Sequence, residues 1–178
     1  MKNIFIWGCG RSGKSKLAKR IGKELSYSVI HTDTIMNNYG CRNPIIWQKN
    51  DIDKRKYLIE DIDKTIKETS QPFVIEGVCL DIEHLLKEFN ATDNIFICIG
   101  YPNISMLVKV FEIEKYDTDS WVRKNHPTRA CKERLVYDKI KDSRIIQTIA
   151  SKNNIKFFEA NDYLKTQELA FEYIKNKL

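Results

Sequence analysis

The sequence predicts a three-layer α/β protein, a parallel sheet covered by helices on both faces. Three observations predict it. Five short apolar, β-prone runs recur along the 178 residues, stripes of apolar residues at helical spacing alternate with them, and the first run passes through a glycine-rich loop into the first stripe. Strands that are apolar almost throughout, separated by helices, suit a parallel sheet buried on both sides.

The elements follow in order. Lys2-Asn3-Ile4-Phe5-Ile6-Trp7 reads as a buried strand, and Leu17, Ala18, Ile21 and Leu25 recur at helical spacing after the glycine loop. Tyr27-Ser28-Val29-Ile30 is the second strand. Ile52, Leu58, Ile59, Ile62 and Ile66 form a stripe behind acidic Asp51 and Asp53, and Phe73-Val74-Ile75 is the third strand. Ile82, Leu85, Leu86 and Phe89 follow Asp81, a suitable helix cap. Asn94 to Ile99 is the fourth strand, and Ile104, Leu107, Val108 and Phe111 make a stripe after Pro102. Leu135, Val136, Ile140, Ile146 and Ile149 mark a long helix, Ile155 to Phe158 the fifth strand, and Leu169, Ala170, Tyr173 and Ile174 the last helix. With no repeat, low-complexity tract or linker, residues 1–178 read as a single domain.

Composition restricts the class. At 42% apolar and 30% charged residues the chain reads as globular, without an apolar run long enough to span a bilayer and without a signal-peptide pattern, so a cytoplasmic location and no membrane partner are expected. The five cysteines, Cys9, Cys41, Cys79, Cys98 and Cys131, lack zinc-like spacing and suggest reduced thiols rather than a disulfide framework. His31, His84 and His126 share no helical face and read as packing or surface residues. Residues 121 to 144 hold eight bases against three acids, so one segment carries nearly all of the net charge of +6. Concentrated in that way, the charge suggests phosphate recognition more than a diffuse nucleic-acid surface.

Gly8-Cys9-Gly10-Arg11-Ser12-Gly13-Lys14-Ser15 has two glycines separated by four residues and followed by Lys-Ser, the phosphate-cradling P-loop pattern, here between a strand and a helix. Gly8 and Gly13 permit backbone conformations and close approaches that a Cβ would obstruct, so N–H groups can converge on phosphate oxygens at a helix N-terminus. Lys14 is expected to neutralise the β- and γ-phosphates, and the Ser15 hydroxyl to reach Mg²⁺. Cys9, Gly10, Arg11 and Ser12 contribute mainly backbone. A nucleotide, expected to be ATP, and Mg²⁺ are therefore the implied ligands.

In open parallel sheets ligands bind beyond the carboxyl ends of the strands. His31-Thr32-Asp33-Thr34 follows the second strand and Glu76-Gly77-Val78 the third. Asp33 is the candidate base or acceptor-binding group, its alternative role being to cap the following helix or turn; Glu76 is the candidate metal-side carboxylate, its alternative a structural contact with the loop backbone.

The P-loop, Asp33, the Ile75-Glu76-Gly77 strand end and the late basic segment together resemble the small P-loop kinases, the group that includes nucleoside monophosphate, shikimate and gluconate kinases. The resemblance spans nearly the whole chain in layout and is sequence-specific only in the P-loop. It implies strand order 2-3-1-4-5, transfer of the γ-phosphoryl group of a Mg-nucleotide to a small-molecule acceptor, and a lid near residues 112–130 carrying Arg123 and Arg129 onto the transferred group. An acceptor-side insert is expected near 34–66, where Tyr39, Arg42 and Trp47 stand as pocket candidates. Arg134 is placed to reach inward, whereas Lys139 and Lys141 read as solvent-face residues. The base is expected near Glu159-Ala160-Asn161.

Glu76-Gly77-Val78-Cys79-Leu80 departs from the Asp-Gly-Phe-Pro-Arg of adenylate-kinase-like proteins, lacking its Pro and Arg, so the resemblance does not carry over the acceptor which that motif selects. Two other readings compete. A regulatory ATPase resembling DNA-topology modulation proteins would bind nucleotide to control a partner, although no Asn-Lys-x-Asp base-reading motif is present for a GTPase version. A nucleic-acid 5′-end kinase rests on the basic segment alone, where aromatics are sparse. The sequence does not select an oligomeric state.

Overall fold

The computed structural model describes residues 2–42, 51–80, 82–116 and 120–178, and the side chains of residues 39–42, 51, 52, 120, 121 and 123 lie outside the description. Five strands, β1 (Asn3–Gly8), β2 (Ser28–His31), β3 (Phe73–Gly77), β4 (Asn94–Gly100) and β5 (Lys156–Glu159), form one parallel sheet in the order β2-β3-β1-β4-β5. The helices are α1 (Lys14–Leu25), α2 (Thr32–Arg42), α3 (Asp51–Glu68), α4 (Ile82–Glu88), α5 (Met106–Tyr116), α6 (Ser120–Asn125), α7 (Arg129–Lys152) and α8 (Tyr163–Lys175). Fold class and strand order are as expected. Asp81, the expected cap of α4, lies outside the described residues. Among the described residues no helix is long and apolar enough to cross a membrane.

The chain divides into two compact units, one of residues 1–7, 14–97 and 171–178, the other of residues 8–13 and 98–170. In the first, β3 lies between its neighbours, with Ile4, Phe5 and Ile6 opposite Val74, Ile75 and Glu76, and Val29, Ile30 and His31 opposite Val74, Ile75 and Glu76. Its apolar strands are sealed by Leu17, Ala18 and Ile21 of α1 and by Leu58, Ile59 and Ile62 of α3, all essentially inaccessible. The Phe5 ring lies 4.9 Å from Phe96 and 4.8 Å from Phe89, a contact worth more than area alone. Phe171 and Ile174 are buried as well, and the Arg20 guanidinium covers the Phe171 ring at 3.9 Å.

In the second unit, Val110 and Ile113 of α5, Val122 of α6 and Val136 of α7 form an apolar cluster with Ile140 against it. The Thr128 side chain accepts from the Cys131 N–H at 3.2 Å and so starts α7, satisfying one of the backbone donors that a helix N-terminus leaves bare. α7 ends at Asn153, and Asn154 turns the chain through a left-handed φ of 55° before β5.

One expected face is corrected. The stripe Leu107, Val108 and Phe111 faces outward, 53%, 54% and 67% exposed, while α5 buries Lys109, Val110 and Ile113. A buried lysine made the true face unreadable from hydrophobicity. The Lys109 ammonium is ion-paired with Glu112 and sits 4.3 Å from the Tyr101 ring, so the charge is compensated where it is desolvated.

Backbone proximity makes Gly8 irreplaceable. A Cβ there would lie 2.0 Å from the Ile99 carbonyl oxygen, an obstacle no side-chain rotation relieves. Gly8→Ala is expected to cost about 3 kcal/mol, because relief of the clash requires movement of packed strands. A thermal melt should fall by about 10 °C.

Candidate active site

At the carboxyl end of β3 the first unit assembles a set of oxygen-bearing side chains around one buried carboxylate. Glu76 stands opposite Ile6 on one side and His31 on the other, so it inherits a central position in the sheet and is only 3% exposed. Its Oε1 accepts from the Ser15 hydroxyl at 2.9 Å and lies 2.6 Å from His31 Nδ1, whereas Oε2 is buried without a hydrogen-bond partner. A buried carboxylate oxygen with no donor is costly and signals a ligand. Lys14, the first residue of α1, is 5% exposed, at a helix end whose dipole favours negative charge.

The chain just after β2 grips the same strand end. Thr32 Oγ1 donates to the Glu76 carbonyl at 3.0 Å, and Asp33 Oδ1 accepts from the Val78 N–H at 3.0 Å. Asp33 thus stands in the first turn of α2, half-buried, with one carboxylate oxygen committed to backbone. These groups fit a hard divalent cation. Ser15 supplies a hydroxyl and Glu76 a carboxylate with an uncommitted oxygen, and Mg²⁺ characteristically takes few protein ligands and fills its octahedron with phosphate oxygens and water.

The second unit holds the glycine loop proper. Arg11 adopts a left-handed φ of 64° and Gly13 one of 94°, the compact turning that lets successive N–H groups converge. A Cβ on Gly13 would lie 2.5 Å from Gln167 Nε2 and 2.8 Å from a Tyr163 ring carbon, so only glycine fits. Side chains engage the loop carbonyls: Ser12 Oγ donates to Cys9 at 3.0 Å, Tyr101 Oη to Gly10 at 2.8 Å and Gln167 Nε2 to Gly13 at 3.3 Å. Burial, reinforced by the neighbouring Cys9, pushes the Tyr101 phenol well above its usual range, which keeps it a donor.

Ser143 of α7 ties this arrangement together. Its Oγ accepts from the Tyr101 N–H at 3.0 Å and lies 2.8 Å from the Lys139 carbonyl and 3.0 Å from Cys9 Sγ. Removing the hydroxyl strands the buried Tyr101 N–H, so Ser143→Ala is expected to lower stability by about 2 kcal/mol in a denaturant titration.

The remaining expected site residues are described only in their own surroundings. Arg129 begins α7 on the surface, its Nε 3.1 Å from Glu133, and Arg123 lies in α6 with its side chain outside the described residues. Tyr39, Arg42 and Trp47 likewise lie outside what is described of side chains. The basic segment is compensated in part: besides Arg129, Lys132 meets Glu114, Arg134 meets Asp138 and Lys139 meets Asp142. Of the proposed base-contacting stretch, Ala160 is buried with its N–H on the Gly100 carbonyl, and Glu159 has a buried oxygen, Oε1, without a partner.

Two expectations need correction. Lys139 is not a solvent-face residue: it is half-buried, and its methylenes would lie 3.5 Å from a Cβ placed on Gly10. It faces the loop because α7 packs through Ser143, and Lys139 lies one turn earlier on the same face. His31 is not merely a packing histidine; it lies on the central carboxylate because the parallel register of β2 and β3 makes the two residues neighbours. Tyr101 and Gln167 went unnoticed in the sequence, since neither belongs to a motif and each reaches the loop only through folding.

No family model matches the chain, and no curated protein matches it in sequence. Solved structures do. The chain is similar to a gluconokinase from Sinorhizobium meliloti 1021, with a TM-score of 0.58 and 13% identity, covering 99% of this chain and 97% of that one. It is similar to the shikimate kinase from Acinetobacter baumannii in complex with shikimate, with a TM-score of 0.59 and 14% identity over 100% and 96% of the two chains. A shikimate kinase from Bacteroides thetaiotaomicron gives a TM-score of 0.58 and 12% identity over 98% and 96%. At these identities the likeness to the gluconokinase and the shikimate kinases is one of fold.

Proposed function

We propose that the protein is an ATP-dependent phosphotransferase that moves the γ-phosphoryl group of a Mg-nucleotide to a hydroxyl of a small polyhydroxylated acceptor. The observation that carries this reading is the buried Glu76 carboxylate, with the hydroxyl of Ser15, the last residue of the P-loop sequence, on one oxygen and the other unpartnered. The fold it shares with kinases of hydroxylated carboxylic acids supports the acceptor class.

In this reading the loop of Gly8 to Gly13 directs N–H groups to the phosphates, and Lys14 neutralises their charge from the start of α1. Ser15 and Glu76 would hold Mg²⁺, which would supply Lewis-acid neutralisation of the charge that develops on transfer. Asp33 holds the acceptor hydroxyl and takes its proton; Oδ1 is steadied by the Val78 N–H and Oδ2 remains for that proton. Arg123 and Arg129, within a lid near 112–130, complete charge stabilisation, which for Arg129 requires release from Glu133.

The test is ATP turnover across a panel of sugar acids, cyclic hydroxy acids, polyols and nucleosides. ADP formation that depends on one of these acceptors, with the phosphorylated acceptor identified by mass, is the expected result. Slow hydrolysis indifferent to every acceptor would overturn it in favour of a nucleotide-binding regulator, and acceptance only of oligonucleotide 5′ ends in favour of an end kinase.

A further inference from the structure

We propose that His31 is the positioning residue of the metal-side carboxylate, holding Glu76 so that Oε2 is presented to a divalent cation of the Mg²⁺ or Mn²⁺ type; this rests on the phosphotransferase reading of the site. A carboxylate oxygen only accepts, so at 2.6 Å the hydrogen between His31 and Glu76 is on Nδ1. Ser15 donates to that same oxygen at 2.9 Å. Two donors converging on Oε1 fix the carboxylate plane and leave Oε2, buried and without a partner, as the oxygen available to a cation.

The need for such a device follows from the side chain. Glutamate carries one more rotatable bond than aspartate, and at a strand end its carboxylate is set by whatever grips it laterally. His31 does so from the adjacent strand, as the direct register neighbour of Glu76, with a ring that is rigid beyond two torsions. The residues that follow continue the grip, Thr32 on the Glu76 carbonyl and Asp33 on the Val78 N–H. Three consecutive side chains, the last of β2 and the two that follow it, thereby clamp the end of β3, and His31 is the one that touches the ligand-bearing group. It does so with its ring one-third exposed, so it stands at the rim and not in the core.

Replacement of His31 tests the assignment through binding. In the full chain, His31→Leu removes the donor, whereas His31→Asn retains an N–H donor close to the position of Nδ1. ADP affinity is measured by calorimetry with Mg²⁺ and again with a chelator, and Mn²⁺ binding by electron paramagnetic resonance. The Leu variant should lose about tenfold in the metal-dependent gain of ADP affinity and in Mn²⁺ affinity. Its chelator-present ADP affinity should stay at the wild-type value, and the Asn variant should recover most of the loss. Wild-type metal binding in the Leu variant, an equal loss with and without metal, or failure of Asn to rescue would each overturn the positioning role. Absence of ADP binding by the wild-type chain would instead remove the phosphotransferase reading, and the role of His31 with it.

Discussion

Lys14→Ala is expected to reduce turnover about 10²–10³-fold, a loss of about 3–4 kcal/mol of charge stabilisation, and to weaken nucleotide binding in parallel. Lys14 is 5% exposed at the first position of α1, where its ammonium and the helix N-terminus act on the same anion. Substitution by alanine also deletes a buried aliphatic stem, so Lys14→Met is the companion variant. It keeps the packing and removes the charge. Equal losses in both variants at unchanged melting temperature assign the effect to charge, measured as ADP affinity by calorimetry and ADP formation in a coupled assay. Turnover in Lys14→Met within a few-fold of wild type would remove Lys14 from the phosphate site.

Asp33→Asn separates binding from transfer. The amide oxygen of asparagine can still accept from the Val78 N–H, so the clamp on β3 and the start of α2 should survive. What disappears is a group able to take the acceptor proton, and general-base losses run to about 10²–10⁴ in rate. Nucleotide affinity is expected to remain within about twofold of wild type, as a substitution that leaves the loop and Lys14 in place barely alters phosphate contacts. Full acceptor phosphorylation by this variant, at saturating ATP and acceptor, would assign Asp33 to helix capping alone.

The glycine loop was readable because its chemistry is local. Backbone N–H groups, one lysine and one hydroxyl must follow one another in the chain, and spacing alone exposes them. The strands were readable for a similar reason, since burial on both faces leaves apolar runs with little alternation. α5 shows where hydrophobicity misleads. Its most apolar residues, Leu107, Val108 and Phe111, lie outward, and the inward face includes a lysine whose charge is met by Glu112 and the Tyr101 ring. No count of apolar residues identifies that face, because the compensation comes from another element.

The same distinction divides the candidate site. Gly8 to Ser15, Asp33 and Glu76 were visible in order along the chain because a loop after a strand announces itself by residue type. The relation of His31 to Glu76, of Lys139 to Gly10, of Ser143 to Cys9 Sγ, and of Tyr101 and Gln167 to the loop carbonyls was not visible, since these pairs lie 45 or more residues apart and meet through strand register and helix packing. Short-range chemistry is written in neighbouring residues. Which distant side chain completes it depends on packing geometry, which distributes its information over the whole core.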